Sequence, residues 1–335
     1  MNITFLIGNG FDINLGLPTK YSDFIEYHNA EGHSDMVSKS IRDDTKRWSD
    51  VESELGQFTK GITVDEAESF LDAKDNIERS LIEYLNIITK HFNIAISSDG
   101  VDEFRNKLVG FRNEFNTEDR EQLEAYIRET RNSIKYSIIS FNYTTYMDAI
   151  VKKAQELGPF SSHRVDGGII HDSLDTVFHV HGLLGPDMIF GVNDRTQLAC
   201  SDDVADRISE YIIKSDLNNT VGERKVEKAQ KIIDDSGCIC IFGMSFGKTD
   251  LMWWKYIFEW LKKSSKHRLV LYKRYKTPLI AGASALARRR NLARKEFLSL
   301  VGAKDEDNRV ANQIIVIPNT NVFTYEKIKV VEDDG

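Results

Sequence analysis

Within its first ten residues the chain passes from an apolar run broken only by Thr4, Ile3 to Ile7, into the turn Gly8-Asn9-Gly10. A strand this apolar is covered on both faces, which places it inside a mostly parallel sheet flanked by helices. A glycine turn at the end of such a strand lets backbone come close to a ligand. The helix that follows offers free N–H groups and a partial positive charge to phosphate. The segment LPTKYSDFIEYH reads as that helix. The full GxGxxG fingerprint is not present, because Ile13 stands where its third glycine belongs and the next glycine is Gly16. The turn therefore reads as a nucleotide-phosphate loop made of Gly8, Asn9 and Gly10, with purely steric glycines as the alternative. Asp12 would repel a pyrophosphate, so it is expected to cap the helix or to hold a ribose hydroxyl.

Further strands are read at Tyr136 to Phe141, Thr176 to Val180, Met188 to Val192 and Cys238 to Gly243, followed by RLVLYK and QIIVIP. Between them, residues 35–132 are charged and amphipathic, with no convincing strand. Phe70, Ile77, Leu81, Leu85, Ile88 and Phe92 fall on one face of a 3.6-residue period. The expected fold class is α/β, a Rossmann-like, mostly parallel sheet. Its core comes from residues 1–34 and 133–335, with a helical insertion at 35–132. Gly167-Gly168 marks a hairpin or an irregular excursion ahead of the strand that reaches His179.

Three more places carry polar groups at strand ends. Asn142 follows the strand ending at Phe141, at the edge where open α/β sheets bind ligands, and it can orient a water or a ribose hydroxyl without a charge to desolvate. The alternative is a helix cap at Tyr143 or Thr144. In His179-Val180-His181-Gly182, strand alternation would put both imidazoles on one face, one acting as a general base and the other supporting it. In FGMSFGKTD, Gly243, Ser245 and Asp250 occupy a polar loop that would hold another part of the ligand, with Thr249 or Asp250 as a helix cap in the plainer reading.

Cys200, Cys238 and Cys240 make neither a disulfide framework nor a CxxC pair, so no metal is expected and a reducing cytoplasm fits. No apolar run is long enough for a membrane span, and no secretory signal pattern opens the chain. The formal charge of −8 argues against a general nucleic-acid binder, yet Lys262 to Lys295 contains twelve Lys or Arg and no acid. Arg288, Arg289, Arg290, Arg294 and Lys295 form its densest part. This 262–295 stretch reads as a surface for self-association or for a partner, and less readily as a nucleic-acid surface.

Taken in order, GNGFD, FNYT, HVHG and GMSFGKTD resemble the sirtuin-like NAD-binding fold. That resemblance implies catalytic roles for Asn142 and His181 and an adenosine-side role for Gly243 and Ser245. The zinc ribbon of deacylating sirtuins cannot be built from these cysteines, which disfavours a protein deacylase. LIGNGFDINLGLPTKYSDF, WSDVE at Trp48 to Glu52, SFNYTTY, HVHG, IFGVND and FGMSFGKTD also resemble AbiH-type bacteriophage abortive-infection proteins. The two resemblances together imply an anti-phage effector that hydrolyses NAD, with a phage-derived trigger or a second copy as partner. Two alternatives stay open: a nucleotide sensor without turnover, using NAD or a related adenine nucleotide, and a metal-dependent nuclease-like effector built on Asp12, Asp50, Glu52 and the histidines.

Overall fold

The computed structural model describes residues 1–275, 282–304 and 307–332. The chain opens with β1 (Asn2–Ile7) and passes the glycine turn into α1 (Gly10–Asn14) and α2 (Tyr21–Ala30). It continues through α3 (Met36–Asp43), α4 (Val51–Phe58), α5 (Ala67–His91), β2 (Phe92–Ile96), α6 (Ser98–Val109) and α7 (Thr117–Thr130). Then follow β3 (Lys135–Ser140), α8 (Tyr146–Glu156), β4 (Ser161–Val165), β5 (Gly168–His179), α9 (Asp202–Ile212), α10 (Lys214–Thr220) and α11 (Lys225–Asp234). The last elements are β6 (Ser236–Phe242), α12 (Leu251–Lys263), β7 (Arg268–Lys273), α13 (Ala283–Leu300), α14 (Asn308–Ala311), β8 (Ile314–Pro318) and β9 (Ile328–Glu332).

The main sheet has the order β4-β5-β3-β1-β6-β7-β8, and every neighbouring pair is parallel except β4 with β5. From the central β1 the chain builds outward through β3 and β5, then returns and builds the other way through β6, β7 and β8. The winding switches between β1 and β6, and the crevice beyond their carboxyl ends is where open sheets of this kind receive ligands. Alternation along β1 divides the core in two. Ile3, Phe5 and Ile7 join the apolar cluster shared with the helices of the insertion, and Leu6 joins the cluster under α12 and α13. Burying both faces is why this strand carries no polar alternation beyond Thr4.

Several expected elements are corrected. The helix entered from the glycine turn is the five-residue α1, and Leu17-Pro18 interrupts the chain so that α2 starts only at Tyr21. The insertion is not free of strands. Helix α5 ends at His91, and Phe92 opens β2, which pairs antiparallel with β9. Met188 to Val192 is a buried loop rather than a strand, with only the bridge Val192 to Ile213. Its amides are satisfied singly, Ile189 N–H donating to His181 O at 2.8 Å and Val192 N–H to Ile212 O at 2.8 Å. Burial alone explains the apolar run. The hairpin at Gly167-Gly168 is present as the β4–β5 turn.

The basic stretch divides between elements. Lys262, Lys263 and Lys266 pair with Glu259, Asp234 and Glu129, while Lys276 lies outside the described residues. On α13 the buried positions are Ala293 and Phe297, both in its second half; Arg288 is exposed, while Arg289 and Arg290 are half-buried, with Arg289 4.9 Å from the Tyr275 ring. No helix among the described residues is long and apolar enough to cross a membrane.

Candidate functional site

A cleft of about 410 Å³ opens at the carboxyl ends of β1, β3 and β6. Gly8, Asn9, Gly10, Asp12, Asn142, His181, Gly243, Ser245 and Asp250 all line it, so segments far apart in sequence meet at one rim. The other side is closed by Tyr21 and Phe24 of α2, Asp50 and Glu52 at the start of α4, and Leu81, Tyr84 and Leu85 of α5.

The glycine turn works differently from the expectation. Gly8 N–H donates to Phe242 O at 2.9 Å and Gly10 N–H to Gly243 O at 2.8 Å. These two amides are therefore not open to a phosphate. A Cβ on Gly10 would lie 2.4 Å from Gly243 Cα, so the glycines serve a close crossing of two strand ends. The Asn9 side chain is spent on Thr19, donating to its carbonyl at 2.5 Å and accepting from its hydroxyl at 2.7 Å.

Asp12 sits inside α1 rather than capping it, the cap position being Asn9. Thr144 Oγ1 donates to Asp12 Oδ2 at 2.6 Å, whereas Oδ1 is buried with no partner. Burial pushes this carboxyl up to about 6, against the Thr144 hydrogen bond and the nearby Asn142 side chain, which pull it down. Asn142 does not cap α8, whose cap position is Thr145, and its Oδ1 is likewise buried and unpartnered.

His181 is 7% exposed, and its Nε2 has no hydrogen-bond partner, with Asp250 Oδ1 4.0 Å away. Burial, then the Lys214 cation, hold the ring below the ordinary imidazole value, while Asp250 and Glu52 oppose them. The imidazole is thus neutral near pH 7. The two histidines do not share a strand face, because β5 ends at His179 and the chain turns at Gly182, with φ +74°. His179 faces away from the cleft lining. Its Nδ1 lies 2.9 Å from Asn142 O and its Nε2 2.9 Å from Asp148 Oδ2, so it braces the loop that carries Asn142.

Asp50 and Glu52, read from the sequence only as members of a metal-dependent alternative, meet Lys214 and Tyr21, which the sequence did not single out. Lys214 and Glu52 form a buried ion pair at 2.8 Å, and burial raises Glu52 despite the lysine. Asp50 Oδ1 accepts from Ser53 N–H at 3.1 Å as the α4 cap, while the residue also lines the cleft. Tyr21 is raised well above the ordinary phenol value by burial and by Glu52, Asp50 and Asp250. WSDVE was the one available signal for Asp50 and Glu52. Lys214, a single lysine after Tyr211-Ile212-Ile213, offered none. A second cavity of about 570 Å³ shares Gly10, Ile13, Gly243, Met244 and Ser245 with the first and continues past Tyr272 to Tyr275.

The family model for bacteriophage abortive infection AbiH matches residues 4–272. The chain belongs to the AbiH family. The match runs from β1 to β7 and takes in every residue lining the first cleft of this AbiH protein. Helix α13 and the Asn319 to Thr324 side of the second cavity lie beyond it. None of the curated proteins compared with the chain matches it.

Proposed function

We propose that this AbiH protein serves abortive infection by hydrolysing NAD to nicotinamide and ADP-ribose in the cleft. One observation carries the reading: Asp12 Oδ1, Asn142 Oδ1 and His181 Nε2 are buried without partners, and all three residues line the same cavity. Buried polar atoms are rarely left unsatisfied, and where they cluster in a cavity a ligand is the natural partner. The sheet order supports a dinucleotide, since the parallel strands wind outward in both directions from β1 and leave a crevice at the switch between β1 and β6. Two neighbouring cavities that share Gly10 and Gly243 in their linings suit its two halves.

In this reading His181 Nε2 takes a proton from the attacking water, while Asn142 Oδ1 accepts from that water or from a ribose hydroxyl. The nicotinamide–ribose bond breaks with both electrons going to nicotinamide, which leaves neutral. The Asp12 carboxylate compensates the positive charge that builds on the ribose. General-base assistance of this kind contributes about 10²- to 10⁴-fold. The nuclease alternative is less well supported, because Glu52 is tied to Lys214 and Asp50 to the α4 terminus. We assign trigger recognition or self-association to the arginines of α13, which stand outside the cleft.

The test is incubation of purified protein with NAD and chromatography for nicotinamide, beside His181→Ala and Asn142→Ala. Release by the parent and loss in both folded variants support the assignment. NAD binding by calorimetry with no nicotinamide released on long incubation, even with phage components added, makes the protein a sensor instead.

A further inference from the structure

Away from the cleft, the end of α2 carries His28, Glu31 and His33, and one ligand atom from each lies within 4.8 Å of the other two. The two imidazole rings stack with centroids 4.9 Å apart. His28 is wholly buried, whereas Glu31 and His33 are partly exposed. One ligand is thus fixed in the interior and two face an entry route.

Two serines set how the buried ring faces. Ser80 Oγ lies 2.9 Å from His28 Nδ1 and 2.8 Å from Glu31 Oε2, which puts Nδ1 on the Glu31 side of the cluster. Ser38 Oγ lies 2.9 Å from His28 Nε2 and 2.7 Å from Asp35 Oδ2, which puts Nε2 on the side of α3. Glu31 Oε2 is also 2.9 Å from His33 Nε2, so both imidazoles present a nitrogen near one carboxylate.

We propose that His28 Nδ1, Glu31 and His33 Nε2 bind one divalent transition-metal ion of the zinc type, with water or the Ser80 hydroxyl in the fourth position. Two imidazoles and a carboxylate are a donor set suited to such ions. The surroundings fit the role. With Nδ1 on the metal, Nε2–H donates to Ser38, Ser38 donates to Asp35, and Asp35 Oδ1 in turn accepts from Ser38 N–H at 2.9 Å as the cap of α3. Outer hydrogen bonds of this kind fix the tautomer and orientation of a metal-bound histidine. The site is separate from the cleft but tied to its wall. Helix α2 supplies Tyr21 and Phe24 to the cleft, and Ser80, which bonds Glu31 at 2.8 Å, directly precedes Leu81 of α5, so the site lies at the junction of the two helices that form that wall.

The experiment uses full-length protein stripped with chelator, titrated with Zn²⁺ by calorimetry and with Co²⁺ by visible absorption. One ion per chain is expected, with a higher melting temperature in Zn²⁺. His33→Ala and Glu31→Gln, both at partly exposed positions, weaken binding by at least about tenfold, and Ser38→Ala weakens it by about 10- to 100-fold. In His33→Ala the Zn²⁺-dependent rise in melting temperature disappears. Absence of stoichiometric binding, binding that survives both His33→Ala and Glu31→Gln, or binding lost only in His181→Ala each overturns the proposal. None of these readouts depends on NAD turnover.

Discussion

Lys214 and Glu52 meet at 2.8 Å with both side chains buried, joining the start of α10 to the start of α4 across the cleft floor. The pair joins α4 to α10 through charge, beside the apolar cluster that holds Val51 and Leu55 of α4 together with Ile3 and Phe5 of β1. Breaking it from one side leaves a buried ion uncompensated, which costs about 3–5 kcal/mol. Glu52→Gln and Lys214→Met are each expected to destabilise the protein by roughly that amount in urea unfolding. The double variant should lose clearly less than the sum of the two. Simple additivity would mean that the pair is not coupled.

The crossing of Gly10 over Gly243 sets a second expectation. A Cβ on Gly243 would lie 2.8 Å from Phe11 N, and the residue's φ of +71° strains any side chain. Neither neighbour is a flexible side chain that can swing aside. Gly10→Ala and Gly243→Ala should therefore each lower the melting temperature steeply or prevent soluble expression, whereas Gly16→Ala, with open space around it, should cost about 1–2 kcal/mol for its positive φ alone. Equal, mild effects at all three positions would show that the crossing can relax.

The strands that hold the cleft were readable because β1, β3, β6, β7 and β8 are buried on both faces and are dominated by apolar residues. Asn142 and Gly243 were readable for the same reason, since each follows such a strand at the sheet's carboxyl edge, whereas His181 and Asp250 were read from the HVHG and FGMSFGKTD patterns. What could not be read was which backbone groups are already satisfied. The amides of Gly8 and Gly10 are taken by the end of β6, a partner more than 230 residues away, and no local pattern records that. His179 and His181 look equivalent in a two-residue period, but the strand stops between them. Lys214 and Glu52 acquire their meaning only when α10 and α4 are folded together. Strand β2 was missed because a two-stranded ribbon at the surface carries only a weak alternation, Phe92 to Ile96, directly after a long helix.

Asp12 predicts a specific pH dependence of stability. Its folded value of about 6 lies above the ordinary 3.8, chiefly through burial, so the folded protein holds this proton more tightly than the unfolded chain does. Stability from this group is greatest below about pH 4, falls as pH rises toward 6, and is flat above that, with a total loss of about 3 kcal/mol. Asp12→Asn keeps an acceptor for Thr144 and removes the titration. Urea midpoints between pH 4 and 7 should fall for the parent relative to the variant. Parallel curves for the two proteins would exclude Asp12 as the source.

His179 and His181, two residues apart, should separate stability from turnover. His179 uses both ring nitrogens, toward Asn142 O and Asp148, so His179→Gln is expected to cost about 1–3 kcal/mol and to slow NAD hydrolysis by loosening the Asn142 loop. His181 has an unpartnered Nε2, so His181→Gln should leave the unfolding midpoint nearly unchanged while abolishing nicotinamide release. The pH profile adds a sign. Burial and Lys214 hold His181 below the ordinary 6.5, so kcat/KM should stay level as pH falls through neutrality and drop only below that value. Removing the cation with Lys214→Met raises the imidazole's affinity for a proton and should move the acid limb to higher pH, provided the variant is assayed where it remains folded. An acid limb that stays in place, or one that moves downward, would detach His181 from the proton transfer even if nicotinamide is released.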